Sequence, residues 1–177
     1  MSKRAFLDTN IMLDLLGERA PFYIPIAQIA TLAERQQLTL VASPISFATV
    51  NYFLSKNEGS TVAREKLRKF KILCEICPIN EQTIEKGLNS AIKDFEDALQ
   101  YFSATDSECD VIITRNGKDF KASMIPVMTA KEFLARLSNS WVSAGFFTVA
   151  IILNFNICFW IDHYRGLWIG KPLHVYL

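Results

Sequence analysis

The sequence predicts an α/β fold, a central and mostly parallel sheet flanked by helices, with a hydrophobic C-terminal tail outside it. Two observations carry that prediction. Up to Leu137, short apolar runs alternate with stretches of helical periodicity, the pattern of repeated βα units. Beyond Leu137 the composition changes: all three tryptophans (Trp141, Trp160, Trp168) and both histidines (His163, His174) lie there, and its only charged residues are Asp162, Arg165 and Lys171. A chain of 177 residues suffices for one domain with a real core and is short for two. The expected division is therefore a domain over 1–137 and a tail over 138–177.

Taken in order, Ala5–Leu7 reads as a first strand ending at Asp8. Ile24–Gln36 places Ile26, Ile29, Ala30, Leu32 and Ala33 at amphipathic-helix spacing, and Thr39–Ala42 is a second strand. A helix over Phe47–Leu54 takes Ser46 as its N-cap. The Glu58-Gly59 turn introduces a basic amphipathic helix over Ser60–Leu73. Glu75–Ile79 is a third strand, and Asn80 is placed to cap a helix over Glu81–Ile92. A further helix spans Asp94–Ala104. Val111–Thr114 and Ile125–Met128 are the last two strands, and Thr129 caps a closing helix over Ala130–Leu137.

Half the residues are apolar and the net charge is +1, a globular composition without the broad basic field of a dedicated nucleic-acid-binding module. Any nucleic acid must be gripped locally. Cys74 and Cys77 form a CxxC with no second pair and no histidine nearby, so they read as two buried thiols. The apolar run after Met1–Arg4 stops at Asp8, too soon for a secretory signal, and a reduced, cytoplasmic body is expected.

In an open parallel sheet, reactive groups gather at the carboxyl ends of the strands. Asp8 lies at such an end, within Phe6-Leu7-Asp8-Thr9-Asn10. A second end carries Thr114-Arg115-Asn116-Gly117-Lys118-Asp119. Between them Asp94-Phe95-Glu96-Asp97 opens a helix, with Phe95, Leu99 and Phe102 on a face expected against the sheet and Asp94, Asp97 and Tyr101 on the adjacent face. Clustered carboxylates repel unless a cation neutralises them, and hard oxygen donors suit Mg2+ or Mn2+. Each piece also has an ordinary reading: Asp94 as a helix cap, Asn116-Gly117 as a turn, Asp119 as a cap for the segment after it. The basic run Arg64, Lys66, Arg68, Lys69 and Lys71 reads as a solvated face, and Arg115, beside the acids, is the better phosphate contact.

Three blocks, FLDTN, DFEDALQYFSA and IITRNGKDF, resemble those of PIN domains, in particular the bacterial branch of VapC-type toxins. The resemblance covers Lys3 to Leu137. It implies a PIN-like fold and a metal-dependent endoribonuclease, the toxin of a toxin–antitoxin pair, with an antitoxin partner and a homodimer. Carried over by position, it implies Asp8 as the first acid, Asp97 as the third, and Asn116, with Asp119 close by, at the fourth; Asp94 is an additional acid one turn before Asp97. The expected catalytic acids are then Asp8, Asp94, Asp97 and Asp119, the expected ligands of Mg2+ or Mn2+ are Asp8, Asp97 and Asn116, and the expected contacts to the RNA are Arg115, Thr9, Asn10 and Thr114. One block departs: in Ser43-Pro44-Ile45-Ser46-Phe47-Ala48-Thr49 the family's glutamate is replaced by Thr49, with Asn51 the nearest other polar group. The alternative this opens is a catalytically weak PIN domain that binds RNA or protein.

The tail has no charge from Leu137 to Ile161. Trp141–Ile161, 21 residues, spans about 31 Å as a helix, close to a bilayer's hydrocarbon thickness. Trp141, Trp160 and Tyr164 fit an interfacial belt, while Asn154 and Asn156 are costly in lipid. A membrane anchor and a non-native extension both fit.

Overall fold

The computed structural model of the chain describes residues 3–121 and 123–143. From Ala144 onward the tail, and with it nearly all of the expected Trp141–Ile161 span, lies outside the described residues. Among the described residues no helix is long and apolar enough to cross a membrane.

The strand β1 (Lys3–Leu7) is the middle of a five-stranded sheet, and its Ala5, Phe6 and Leu7 are buried. A strand covered on both faces is apolar without alternation, which is why this short run carries no period. It pairs in parallel with β2 (Leu38–Ala42) and with β4 (Val111–Ile113). Outside these lie β3 (Cys74–Ile76), parallel to β2, and β5 (Val127–Met128), parallel to β4. The order is β3-β2-β1-β4-β5. The chain thus steps outward from β1 to β3, then returns to lay β4 on the other side of β1. That reversal opens a crevice beyond the carboxyl ends of β1 and β4, where open parallel sheets take their ligands.

Helices α2 (Tyr23–Glu34), α4 (Ser60–Leu73) and α6 (Phe95–Asp106) form where periodicity places them. The turn before α4 needs Gly59, whose φ of +89° is a conformation that a side chain disfavours. An additional helix, α1 (Thr9–Leu16), follows β1 without a loop; seven of its eight residues are buried, so it has no polar face to give it a period. Helix α3 runs Pro44–Glu58, three residues earlier than expected, and its cap is Ser43 rather than Ser46: Ser43 Oγ accepts the Ser46 N–H at 3.1 Å, with Pro44 in the first turn. The strand β3 is shorter than the expected Glu75–Ile79, because α4 runs into it directly and Pro78 has no N–H for the ladder.

Asn80 caps α5 (Glu81–Leu88) as expected, in a reciprocal box with Thr83, but the helix stops before Ile92 at Asn89. Thr129 and Glu132 form the corresponding box on α7 (Ala130–Ser143), which passes Leu137 because nothing in Ser138–Ser143 breaks a helix. On α6 the expected apolar face is corrected. Phe95 is 44% exposed, and Phe95 and Leu99 crowd Gly87 of α5, where an added Cβ would sit 3.0 Å from Leu99 Cδ2. The buried residues of α6 also include small and polar ones, Ala98, Gln100, Ser103 and Ala104.

One apolar cluster lies on the sheet at Phe6, Val41 and Ile112, joined by Cys77, Ala104, Cys109 and Phe120. Tyr101 packs at its edge and accepts the Met124 N–H on its hydroxyl at 3.3 Å, so it belongs to this core and not to the acid face.

Candidate functional site

Asp8 ends β1 and starts α1 at once. Its N–H donates to Ile113 O at 3.1 Å, extending the ladder with β4, while its carbonyl accepts Ile11 N at 2.9 Å. Backbone geometry therefore fixes the side chain at the mouth of the crevice, where the residue is 3% exposed. One carboxylate oxygen, Oδ2, takes short hydrogen bonds from Asn10 Nδ2 and the Thr114 hydroxyl. Burial pushes the Asp8 carboxyl above its ordinary range, and the bond from Thr114 leads the influences that pull it back.

The two strand ends are laced together around this acid. Thr114 Oγ1 accepts Asn10 Nδ2 at 3.2 Å and the Asn116 N–H at 2.9 Å, and Asn10 Oδ1 accepts the Arg115 N–H at 3.2 Å. Thr9 is tied as firmly: its N–H donates to Gln100 Oε1 at 3.1 Å and its hydroxyl to Glu96 Oε1 at 2.8 Å. Expected as substrate contacts, Thr9 and Thr114 are instead buried and spend their hydroxyls on carboxylates, so they orient acids. Asn10 also holds Asp8, through its Nδ2, while its Oδ1 fixes the Arg115 backbone.

Helix α6 supplies the opposing acids. Asp94 is its N-cap: Oδ1 accepts Glu96 N at 2.9 Å and Asp97 N at 3.2 Å. Asp119 lies in a 3-10 turn (Gly117–Phe120) and closes it by donating its N–H to Asn116 O at 2.9 Å. The Asp97 carboxyl is pushed up to about 7, first by burial and then by the charges of Asp8, Asp94, Asp119 and Glu96. The charges of the expected acids therefore bear on the Asp97 carboxyl.

Whether they suit a cation is a question of donor chemistry. Among the described residues no three Asp, Glu, His or Cys side chains close into a metal-binding group. Mg2+, however, binds through one or two carboxylates and keeps several waters. An Asp97 carboxyl raised by burial and then by the charges of neighbouring acids, with hard oxygens throughout, fits an ion of that kind.

Two flanking acids escaped the sequence reading. Asp14, on α1, has a fully buried side chain, with Arg115 Nε 3.0 Å from its Oδ2 and Arg19 4.0 Å from its Oδ1. Burial raises its carboxyl, and Arg115 and then Arg19 oppose the rise. Arg115 is thus pinned along one edge and lies over the Phe22 ring, 4.5 Å from its centroid, with its side chain still 33% exposed at the crevice. A lone acid inside the apolar run Ile11–Leu16 was the available signal, since a buried charge requires a partner. The other is Glu96, whose Oε2 accepts the hydroxyl of Thr49 at 3.3 Å. In the basic run of α4, Lys66 is engaged elsewhere, donating to Leu16 O at 2.9 Å and pairing with Glu58 at 2.6 Å.

Comparison with known proteins agrees with this geometry. A model of the PIN domain family matches residues 4–118. Ribonuclease VapC1 of Aquifex aeolicus is 29% identical over 140 residues, covering 76% of this chain and 96% of the relative. Among solved structures, the VapBC2 structure of Rickettsia felis, bound to a promoter DNA fragment, superposes with a TM-score of 0.55 at 21% identity, covering 71% of this chain and 96% of the other. VapC20 of Mycobacterium tuberculosis, a toxin that cleaves the sarcin-ricin loop, gives 0.54 at 11% identity, covering 67% and 94%. At such identities the structural likeness establishes the fold alone.

Proposed function

The chain belongs to the PIN domain family, and on that premise we propose that it is a divalent-metal-dependent endoribonuclease, the toxin of a toxin–antitoxin pair. The observation that carries the reading is the lacing of Asp8 to Asn10 and Thr114 where β1 and β4 end, with an Asp97 carboxyl that burial, and then the charges of Asp8, Asp94, Asp119 and Glu96, push up to about 7. Asp8 and Asp97 would hold Mg2+ or Mn2+, with Asn116 as a neutral oxygen donor. A divalent cation bound there supplies a water acidic enough to attack at neutral pH and offsets charge on the phosphodiester.

In that hydrolysis the water oxygen bonds to phosphorus, one P–O ester bond breaks, and the water's proton ends on the departing sugar oxygen. Thr114 and Asn10 hold Asp8 oriented, and Asp94 and Asp119 add negative charge beside Asp97. Arg115 contacts a substrate phosphate from the rim, a role its pinned guanidinium suits. The relatives' names support an antitoxin partner, and a second copy of the chain and a cytoplasmic setting complete the proposal. The activity is assigned to residues 1–137, and the tail over 138–177 is given no part in it.

One observation favours a second reading: Thr49 presents a neutral hydroxyl where the family resemblance expects a carboxylate. On that ground the alternative is a weak PIN domain that binds RNA or protein. Incubation of the full chain with end-labelled RNA and Mn2+ separates the two. Cleavage that stops with EDTA and in Asp97→Asn is the expected result. Cleavage that survives both overturns metal dependence at this site, and retention of uncut RNA by the wild type in Mn2+ decides for the binding module.

A further inference from the structure

Glu96 sits one residue before Asp97, a rotation of about 100° around the helix axis, and by spacing alone it belongs beside the crevice rather than in it. Its contacts are not those of a solvated surface acid. Oε1 accepts the hydroxyl of Thr9 from α1 at 2.8 Å, and Oε2 accepts the hydroxyl of Thr49 from α3 at 3.3 Å. Each carboxylate oxygen thus has its own donor, and the two donors come from different helices. Thr9 is itself fixed, with its N–H on Gln100 Oε1 at 3.1 Å and its hydroxyl 3.0 Å from Ser46 Oγ, all of them buried. Ser46 in turn donates to Gln100 Oε1 at 3.3 Å.

We infer that Glu96 is a working acid of the site, supplying from α6 the negative charge that Thr49 does not supply from α3. Thr9 and Thr49 are its positioning residues, and the charge helps retain the divalent cation. The inference rests on the nuclease reading above. It differs from a plain interhelical tie in what a neutral replacement does. Glutamine at 96 keeps an oxygen acceptor and the length of the side chain, so a tie survives it, whereas a contribution to cation binding does not.

The test is calorimetric titration of the full chain with Mn2+ alone, with a melt of each variant in EDTA. Glu96→Gln should weaken Mn2+ binding about tenfold or more, the scale of outer-shell partners at metal sites, while its melt stays close to wild type. Thr49→Glu combined with Glu96→Gln returns one carboxylate to the same contact and should recover most of the lost affinity. If Glu96→Gln binds Mn2+ as tightly as wild type while Asp97→Asn loses it, the inference falls and the nuclease reading stands. If Asp97→Asn also binds normally, both fall. A wild-type measurement decides the matter even where Glu96→Gln fails to fold. In a carbon-13 spectrum, substoichiometric Mn2+ should broaden the Glu96 carboxyl together with Asp8 and Asp97 and leave the capping Glu132 sharp. A Glu96 signal as sharp as that of Glu132 overturns the assignment.

Discussion

Phe6 and Asp8 stand two positions apart, Phe6 within the central strand and Asp8 just past its end, and both are buried. Their surroundings obey opposite physics. Phe6 meets Val41, Ile112 and Phe120 across the sheet, with Ala104 of α6 above it, a region in which every neighbour gains from losing water. Asp8 meets Thr114, Asn10, Asp97 and the other acids, a region in which hydrogen bonds offset only part of the cost of burying charge. Helix α6 serves both, with acids in its first turn and Ala104, a member of the apolar cluster, in its last. One helix therefore holds the sheet at one end and leaves negative charge uncompensated at the other. The apolar end gains stability from buried area, while the acidic end sets buried carboxylates near one another's charge.

Substitutions at the two ends should separate those roles. Phe6→Ala removes a fully buried ring and should cost about 3–5 kcal/mol in urea unfolding. Asp97→Asn should change the metal-free stability far less at neutral pH, or raise it, because it relieves repulsion among acids, while abolishing Mn2+ binding. Equal losses from both would show that the acids form part of the core, and the contrast would be lost.

The acidic end should also carry a pH signature. In the fold the Asp97 carboxyl titrates at about 7, against an ordinary value of 3.8. Between those values the native state holds more protons than the unfolded one, so this group's contribution is fully present below 3.8 and lost as the pH rises through 7. Asp8, raised by burial, acts in the same direction. In EDTA the melting temperature of wild type should therefore fall relative to that of Asp97→Asn as the pH is raised from about 4 to 8. Parallel curves across that range would mean that Asp97 is not held among the other acids.

The sequence made the apolar end legible and hid half of the acidic end, for identifiable reasons. Strands β1, β2 and β4 announce themselves as short apolar runs, and Asn80 and Thr129 mark helix starts because capping chemistry is local. The three acid-bearing blocks were legible by the same local logic, since strand ends and a helix start can be read from neighbours in sequence. Helix α1 was not legible, because a helix buried on nearly all sides has no alternation to detect, and Asp14 went unplaced with it. Helix α3 starts three residues before its expected Phe47, because Ser43 rather than Ser46 is the cap. Glu96 depends on Thr9 and Thr49 arriving from two other helices, contacts with sequence separations of 87 and 47. The burial of Thr9 and Thr114, expected as substrate contacts, was hidden for the same reason: it comes from elements distant in sequence.

A finer distinction concerns how each end treats a group that can ionise. Cys77 and Cys109 lie in the apolar cluster, and Cys74, buried in β3, completes the CxxC. Burial pushes the thiols of Cys74 and Cys109 up to about 12 and raises that of Cys77, whose Sγ donates to Ala42 O at 3.3 Å. At the acidic end the same burial meets hydroxyl and amide donors that hold a carboxylate in place; at the thiols burial outweighs the opposing influences, Ser103 and Ser107 at Cys77 and Arg4 at Cys109. Since only the thiolate reacts, iodoacetamide at pH 8 should leave Cys74, Cys77 and Cys109 unmodified in the folded chain and label them once urea unfolds it, as counted by peptide mass. In Asp97→Asn, where the acid site is disabled, adding Zn2+ should leave the melting temperature unchanged, because a CxxC without a second pair offers too few ligands. Rapid labelling of Cys77 at a urea concentration where the chain is still folded would show that the apolar end opens locally. It would then be the crevice, with its acids bound to fixed donors, that is the more rigid of the two.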